Sequence, residues 1–208
     1  LKVDPTDRKT LLKIADTAIT GKSIEQVKTK LDGIIVDAVM TVAEKVNGKL
    51  SVDEEDVMIK KQKGQSMNDA ELIRGVVIDK GRVHEGMPKK IEKAKVALVA
   101  MPLEITKTQV KAKIKISNAE QINAFSEQER EALKKLADAI IDSGANVLLC
   151  QKGISDAAQF YLAKAGILAI EDVPEKDMKY AARALHASIV NKPESLTAKD
   201  LGVAESVK

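Results

Sequence analysis

The 208-residue sequence has no tryptophan, two phenylalanines, two tyrosines and a single cysteine. One cysteine excludes an internal disulfide framework, and a lone thiol suits a reducing cytoplasm. No apolar run approaches the roughly 20 residues of a membrane-spanning helix, so no membrane partner is expected, and no segment reads as a secretory leader. Neither sign of charge is in large excess. With 34 Lys and Arg against 31 Asp and Glu the net charge is +3, which argues against a dedicated nucleic-acid binder. His84 and His186 lie far apart, with no acid or cysteine at ligand spacing, so no metal site is expected. No Ser-His-Asp or Cys-His constellation can be assembled, so no catalytic residue is assigned.

What is present is 44% apolar and 31% charged residues, the composition of a globular chain with one or two domains and a heavily charged surface. The chain starts at Leu1 rather than Met and stops at Lys208 without a terminating signal, so it is expected to be a piece of a longer protein.

The N-terminal part reads as two helices. Asp4-Pro5 opens the first, with Asp7 at its third position and Leu11, Leu12, Ala15, Ala18 and Ile19 as its apolar stripe. Thr20-Gly21-Lys22 breaks it. Ser23 to Gln26 is a capping box opening the second, whose stripe from Val27 to Val46 ends at Asn47-Gly48. Strands are expected at Val57 to Lys60, Gly75 to Asp79 and Lys95 to Ala100, and a half-exposed one at Val110 to Ile116.

Asn118 to Gln121 and Ser126 to Glu129 are two capping boxes in succession. They predict a short helix carrying Ile122 and Phe125, then a second helix carrying Leu133, Leu136, Ala137, Ile140 and Ile141. Ser126 to Glu131 is polar throughout and cannot lie on a core. This favours an arm that leaves the domain body with Ile122 and Phe125 exposed, over a surface loop folding those two residues back. From Ala132 onward helices and strands alternate, implying a partly parallel sheet: strands at Val147 to Cys150, Ile167 to Ile170 and Ser188 to Asn191, helices at Ser155 to Ala165 and Glu175 to Ala187. Thr197 to Asp200 caps a last helical turn.

In the helix from Ser155, the stripe Ile154, Ala158, Tyr161, Leu162, Ala165 faces the core, and Phe160 falls off it, on the side of Asp156 and Ala163. Two readings stay open: Phe160 packs beneath another segment, or it belongs to a contact surface for something apolar. Gly21-Lys22-Ser23 resembles the end of a phosphate-binding loop, but Asp16 stands where the first glycine belongs and a helix precedes it instead of a strand. The residues alone favour a solvated helix-end lysine. A lysine on a tight turn could also meet a phosphate presented by another domain. A phosphate-handling α/β enzyme domain is the alternative function class.

Several segments in order carry a family resemblance: Ile19 to Lys22, Glu71 to Asp79, Met87-Pro88-Lys89-Lys90, Gly144 to Val147, Cys150 to Ile154, Ala158 to Lys164, Asp177 to Lys179 and Asp200 to Gly202. Together they resemble the group II chaperonins, the archaeal thermosome family, over nearly the whole chain. The resemblance implies an α/β fold: part of an intermediate domain over 1–63, with a helical pair, then a C-terminally truncated apical domain over 64–208. That apical domain would be a mixed sheet with flanking helices and a helical protrusion at about 116–133. It implies binding of non-native polypeptides through Asp156, Gln159, Phe160 and Ala163, where the family commonly has histidine at the Phe160 position. It implies lid contacts by Ile122, Phe125, Ser126 and Glu129, and sensing of the ATP γ-phosphate by Thr20, Gly21 and Lys22. Partners would be other chaperonin subunits in a double ring in the cytoplasm. ATP and Mg would belong to the full-length protein. The family's equatorial Gly-Asp-Gly-Thr-Thr motif is absent from these residues, so the chain alone is expected neither to bind nor to hydrolyse ATP.

Overall fold

The computed structural model describes residues 7–22, 27–61, 63, 66–104 and 119–208, the side chains of Met67 and of 119–126 excepted. The chain divides into two units, Leu1–Val77 and Ile78–Lys208.

In the N-terminal unit, α1 spans Arg8–Ile19. Its N-cap is Asp7: the Asp7 backbone is extended, and its carboxylate accepts from the Lys9 amide at 3.0 Å and from the Thr10 hydroxyl, while the expected start at Asp4-Pro5 lies outside the described residues. A short carboxylate held by an amide of the first turn marks the helix start. Ala15 and Ile19 are buried, whereas Ala18, expected on the same stripe, is exposed. The second helix, α2, spans Lys28–Val42; Ser23 to Gln26, the expected capping box, lie outside the described residues. It stops before the Val46 expected from its stripe. Glu44–Val46 (β1) and Lys49–Ser51 (β2) instead pair antiparallel, Val46 opposite Lys49. Asn47 (φ 51°) and Gly48 (φ 76°) are both left-handed, which is the two-residue hairpin turn whose twist matches paired strands. The Asn-Gly pair is therefore a hairpin turn and not a helix stop.

Two further strand expectations fail. Val57 to Lys60 has no sheet partner among the described residues, and neither has Gly75 to Asp79. A β-branched run needs a neighbouring strand to satisfy its backbone. Without one, Ile78 packs by its side chain against the core of the C-terminal unit. The expected strand at Val110 to Ile116 lies outside the described residues.

The C-terminal unit is built on β3, Ile91–Val99. Parallel to it runs β4, Val147–Cys150, in the register Val96 opposite Val147, and β5, Leu168–Ile170, follows β4 in parallel. The other side of β3 is shared. The end of β3 pairs parallel with β6, Ile189–Val190; its beginning pairs antiparallel with β7, Gly202–Val207. The sheet is mixed, as expected, although β7 replaces chain read only as following a last helical turn.

Among the described residues, three helices flank this sheet. The first, α3, is one continuous helix, Ala119–Asp142, where two helices broken at Ser126 were expected. Glu127 to Glu131 are polar because they lie beyond the core: Glu127 to Ala132 are exposed, and Leu133, Ala137 and Ile140 are the first buried turns. Glu, Gln, Arg and Ala are strong helix formers, and the Glu131–Lys135 pair at 3.1 Å spans one turn, so the second capping box never becomes a start. Helix α4 is Asp156–Lys164, and α5 is Glu175–Leu185, closed by His186 in the left-handed region.

Strand residues alternate between two cores. Ala97, Val99, Leu148, Cys150 and Ala169 face α3 and α4; Val96, Leu98, Val147, Leu149, Leu168 and Ile170 face Met178 and Ala181 of α5. Both faces are dry, which is why these strands read as unbroken apolar runs.

Candidate functional site

Helix α4 is set on the sheet by the turn that precedes it. The Leu103 amide donates to the Gly153 carbonyl and the Ser155 amide to the Leu103 carbonyl, both at 3.0 Å. The Ile154 amide donates to Glu171 Oε2 at 2.7 Å. A Cβ at Gly153 would stand 2.3 Å from Glu104 Oε1, so this turn and that carboxylate are packed against each other. Ile154, Ala158 and Leu162 are buried, anchoring one side of α4.

The opposite side carries Asp156, Gln159, Phe160 and Ala163, at the i, i+3, i+4, i+7 spacing of one helical face. Phe160 is 56% exposed, as its position off the buried stripe predicts. Asp156 is exposed. Gln159 donates its side-chain amide to the Ile154 carbonyl at 2.7 Å, so this group is committed to the start of its own helix. Ala163 is half-buried next to the His84–Gly86 turn, where an added Cβ at Gly86 would lie 3.9 Å from the Ala163 methyl. The face therefore presents one aromatic ring with a carboxylate beside it, rather than a broad apolar patch.

The Thr20-Gly21-Lys22 turn closes α1. Gly21 has φ 79°, a left-handed conformation that favours glycine, and a Cβ there would meet nothing within 4 Å. The Lys22 amide donates to the Ile19 carbonyl at 3.1 Å, while its side chain is exposed. Sequence reading missed Lys28, whose ammonium reaches back to Thr20 Oγ1 at 2.6 Å and to Asp16 Oδ1 at 2.8 Å. The available signal was a basic residue opening one helix opposite an acid in the last turn of the other.

Ile122, Phe125 and Ser126 lie on α3, but their side chains are outside the described residues; Glu129 is exposed. The part of the expected protrusion before Ala119 also lies outside them. Among the described residues no three His, Cys, Asp or Glu side chains could jointly hold a metal ion. No described helix is long and apolar enough to cross a membrane. His84 Nδ1 accepts from the Gly86 amide at 3.0 Å, and the Cys150 thiol donates to the Met101 carbonyl at 3.3 Å, so both have local structural partners.

Comparison with known proteins brings these pieces together. The model of the TCP-1/cpn60 chaperonin family matches residues 1–208. The chain belongs to the TCP-1/cpn60 chaperonin family. Among its chaperonin relatives, a thermosome subunit of Methanopyrus kandleri is 46% identical over 207 residues, covering 100% of this chain and 38% of that protein. A thermosome subunit of Pyrococcus horikoshii is 49% identical with the same coverage, 100% and 38%. The open-state monomer of a group II chaperonin from Methanococcoides burtonii superimposes with a TM-score of 0.78 at 38% identity, covering 100% of this chain and 46% of that one. The group II resemblance and the α/β fold class are thus borne out, and the chain spans about 38% of the length of these curated chaperonins.

Proposed function

We propose that this chain is the client-binding and lid-forming part of an ATP-dependent protein-folding chaperonin. Residues 1–63 act as part of an intermediate domain and 64–208 as an apical domain. The observation that carries the reading is Phe160, an aromatic ring 56% exposed on a helix whose opposite side is anchored in the core. Exposed aromatic surface on a rigid element suits transient capture of apolar segments in non-native polypeptides. Phe160 makes the main contact and Asp156 borders it; Gln159 and Ala163 shape the face without offering free groups.

The Thr20-Gly21-Lys22 turn suits an anion. Lys22 is exposed and has no ion-pair partner among the described residues, and the open space at Gly21 lets a ligand approach the backbone. Bound in the full-length protein, ATP with Mg supplies a γ-phosphate whose hydrolysis changes the charge offered to this turn. The exposed Lys22 ammonium would engage that phosphate, and α1 and α2, linked by the Arg8–Asp37 ion pair, would carry the change as one body. The apical part then moves to cover the client. Ile122, Phe125, Ser126 and Glu129 supply lid contacts at the protrusion, between subunits of a double ring in the cytoplasm.

The test is suppression of aggregation. Added in equimolar amount to a chemically denatured enzyme diluted into buffer, the chain should reduce light scattering without ATP. Scattering identical to a control with an inert protein sinks the reading.

A further inference from the structure

Lys28 stands at the first position of α2, where a cation opposes the helix dipole. α1, in turn, has no basic residue in its last turn. The two facts are connected by geometry. The Lys28 side chain is only 18% exposed, and its ammonium lies not over its own helix but at the C-terminal end of α1. There it donates to Thr20 Oγ1 at 2.6 Å and pairs with Asp16 Oδ1 at 2.8 Å. The Thr20 hydroxyl in turn donates to the Asp16 carbonyl at 2.7 Å, and the Thr20 amide donates to that same carbonyl at 3.0 Å. Thr20 is thus held through backbone and hydroxyl at the residue that immediately precedes Gly21.

We infer that Lys28 is the positioning residue of the Thr20-Gly21-Lys22 turn. It neutralises Asp16, the acid nearest the turn in α1, and fixes Thr20 so that the neighbouring lysine stays available to an anion. The two lysines divide the work: Lys28 is partly buried and paired, whereas Lys22 is exposed and without an ion-pair partner among the described residues. A partly buried ammonium bonded to both a hydroxyl and a carboxylate is worth more than an exposed surface pair. This inference rests on the phosphate-sensing reading of the turn, and its structural half can be tested separately.

The first measurement is amide exchange in this chain. Lys28→Met should speed exchange at Thr20 and Lys22 about tenfold, while the amides of β3 keep their rates. Lys28→Arg, which keeps the charge and donors, should restore most of the protection. If Lys28→Met perturbs the fold more widely, Thr20→Val, which removes the ammonium's hydroxyl acceptor, should give the same local acceleration. Unchanged exchange at Thr20 and Lys22 in both variants overturns the inference.

The second measurement is ATP-driven closure of the intact chaperonin, followed by protease protection of the lid. Lys28→Met should raise the ATP concentration for half-closure about tenfold, with maximal closure retained. If Lys22→Ala abolishes the response and Lys28→Met leaves it unaltered, the positioning role is overturned and the sensing reading stands. If Lys22→Ala rings close normally, the sensing reading fails, and the functional half of this inference fails with it.

Discussion

The Phe160 ring stands edge-on to the ring of its chain neighbour Tyr161, with centroids 5.9 Å apart and planes at 68°. Tyr161 is half-buried and packs against the core that contains Ala158 and Leu162, so it supports the exposed ring from one side. Edge-to-face is one of the preferred arrangements of neighbouring aromatic rings. The consequence is an exposed apolar contact with a preferred ring orientation.

Phe160→Ser should therefore lower client capture several-fold in the light-scattering assay and leave the urea midpoint nearly unchanged. An exposed side chain contributes within about 0.5 kcal/mol to stability. A drop in capture accompanied by a comparable drop in stability would count against a direct contact, and unchanged capture would remove Phe160 from the client surface.

The Asn47-Gly48 turn offers a test of the hairpin that replaced the end of an expected helix. Gly48 has φ 76°, and placing Ala there costs about 1–2 kcal/mol. Gly48→Ala should therefore lower the urea midpoint, and an unchanged or raised midpoint would show that Gly48 is not left-handed and overturn the turn geometry.

What the sequence made legible depends on whether a local signal had a rival. Val147 to Cys150 is apolar without alternation and bounded by turns, and it is a fully buried strand. Phe160 was placed by helical period alone, because α4 has a strong buried stripe at Ile154, Ala158 and Leu162. Readings failed where two local codes competed. Asn47-Gly48 can stop a helix or turn a hairpin, and pairing of Val46 with Lys49 decided it. Ser126 to Glu129 can start a helix or continue one, and an unbroken α3 decided that. The clasp between Lys28 and Thr20 was hidden for another reason, since its bonds depend on how α2 folds back along α1. Family motifs proved to include packing positions as well as surface ones. Met87 of the Met-Pro-Lys-Lys segment is buried, and its Sδ accepts from the Ala169 amide at 3.3 Å. Met178 of Asp-Met-Lys is buried in the core beneath α5.

Gly202, from the Asp-Leu-Gly segment, shows the same thing with a clear physical requirement. A Cβ there would lie 2.5 Å from Leu185 Cβ, 2.9 Å from Ala187 Cβ and 3.1 Å from the Leu185 carbonyl oxygen. These are atoms close to or in the backbone, which cannot swing aside. Gly202 is what lets β7 begin beneath the end of α5 and pair with Val96. Gly202→Ala should cost about 1–3 kcal/mol by overpacking. Amide exchange should accelerate first along β7, while β4 and β5 stay protected. A stability change below about 0.5 kcal/mol would mean that β7 does not pass this close to α5.

Cys150 links the core to a pH dependence. It is fully buried at the end of β4, and burial pushes its thiol from the ordinary 9.0 up to about 11. The backbone amides of Lys152 and Leu103 oppose that shift, and the charges of Glu171 and Asp172 reinforce it. Below pH 9 the thiol is protonated in folded and unfolded chains alike, so its contribution to stability is fully present. Between 9 and about 11 the unfolded chain gives up this proton while the folded chain keeps it, so stability falls as pH rises. At pH 10.5 the loss should be about 2 kcal/mol relative to pH 8. Cys150→Ala removes this dependence, at the cost of a small cavity that is the same at both pH values. The measurement is urea unfolding of both proteins at the two pH values. The wild type should lose about 2 kcal/mol more than the variant. A thiol reagent at pH 8 should label the wild type only after denaturant is added. Parallel losses in the two proteins, or rapid labelling of the folded chain, would show that Cys150 is open to solvent and that the strand end is not sealed by Met101 and Leu103.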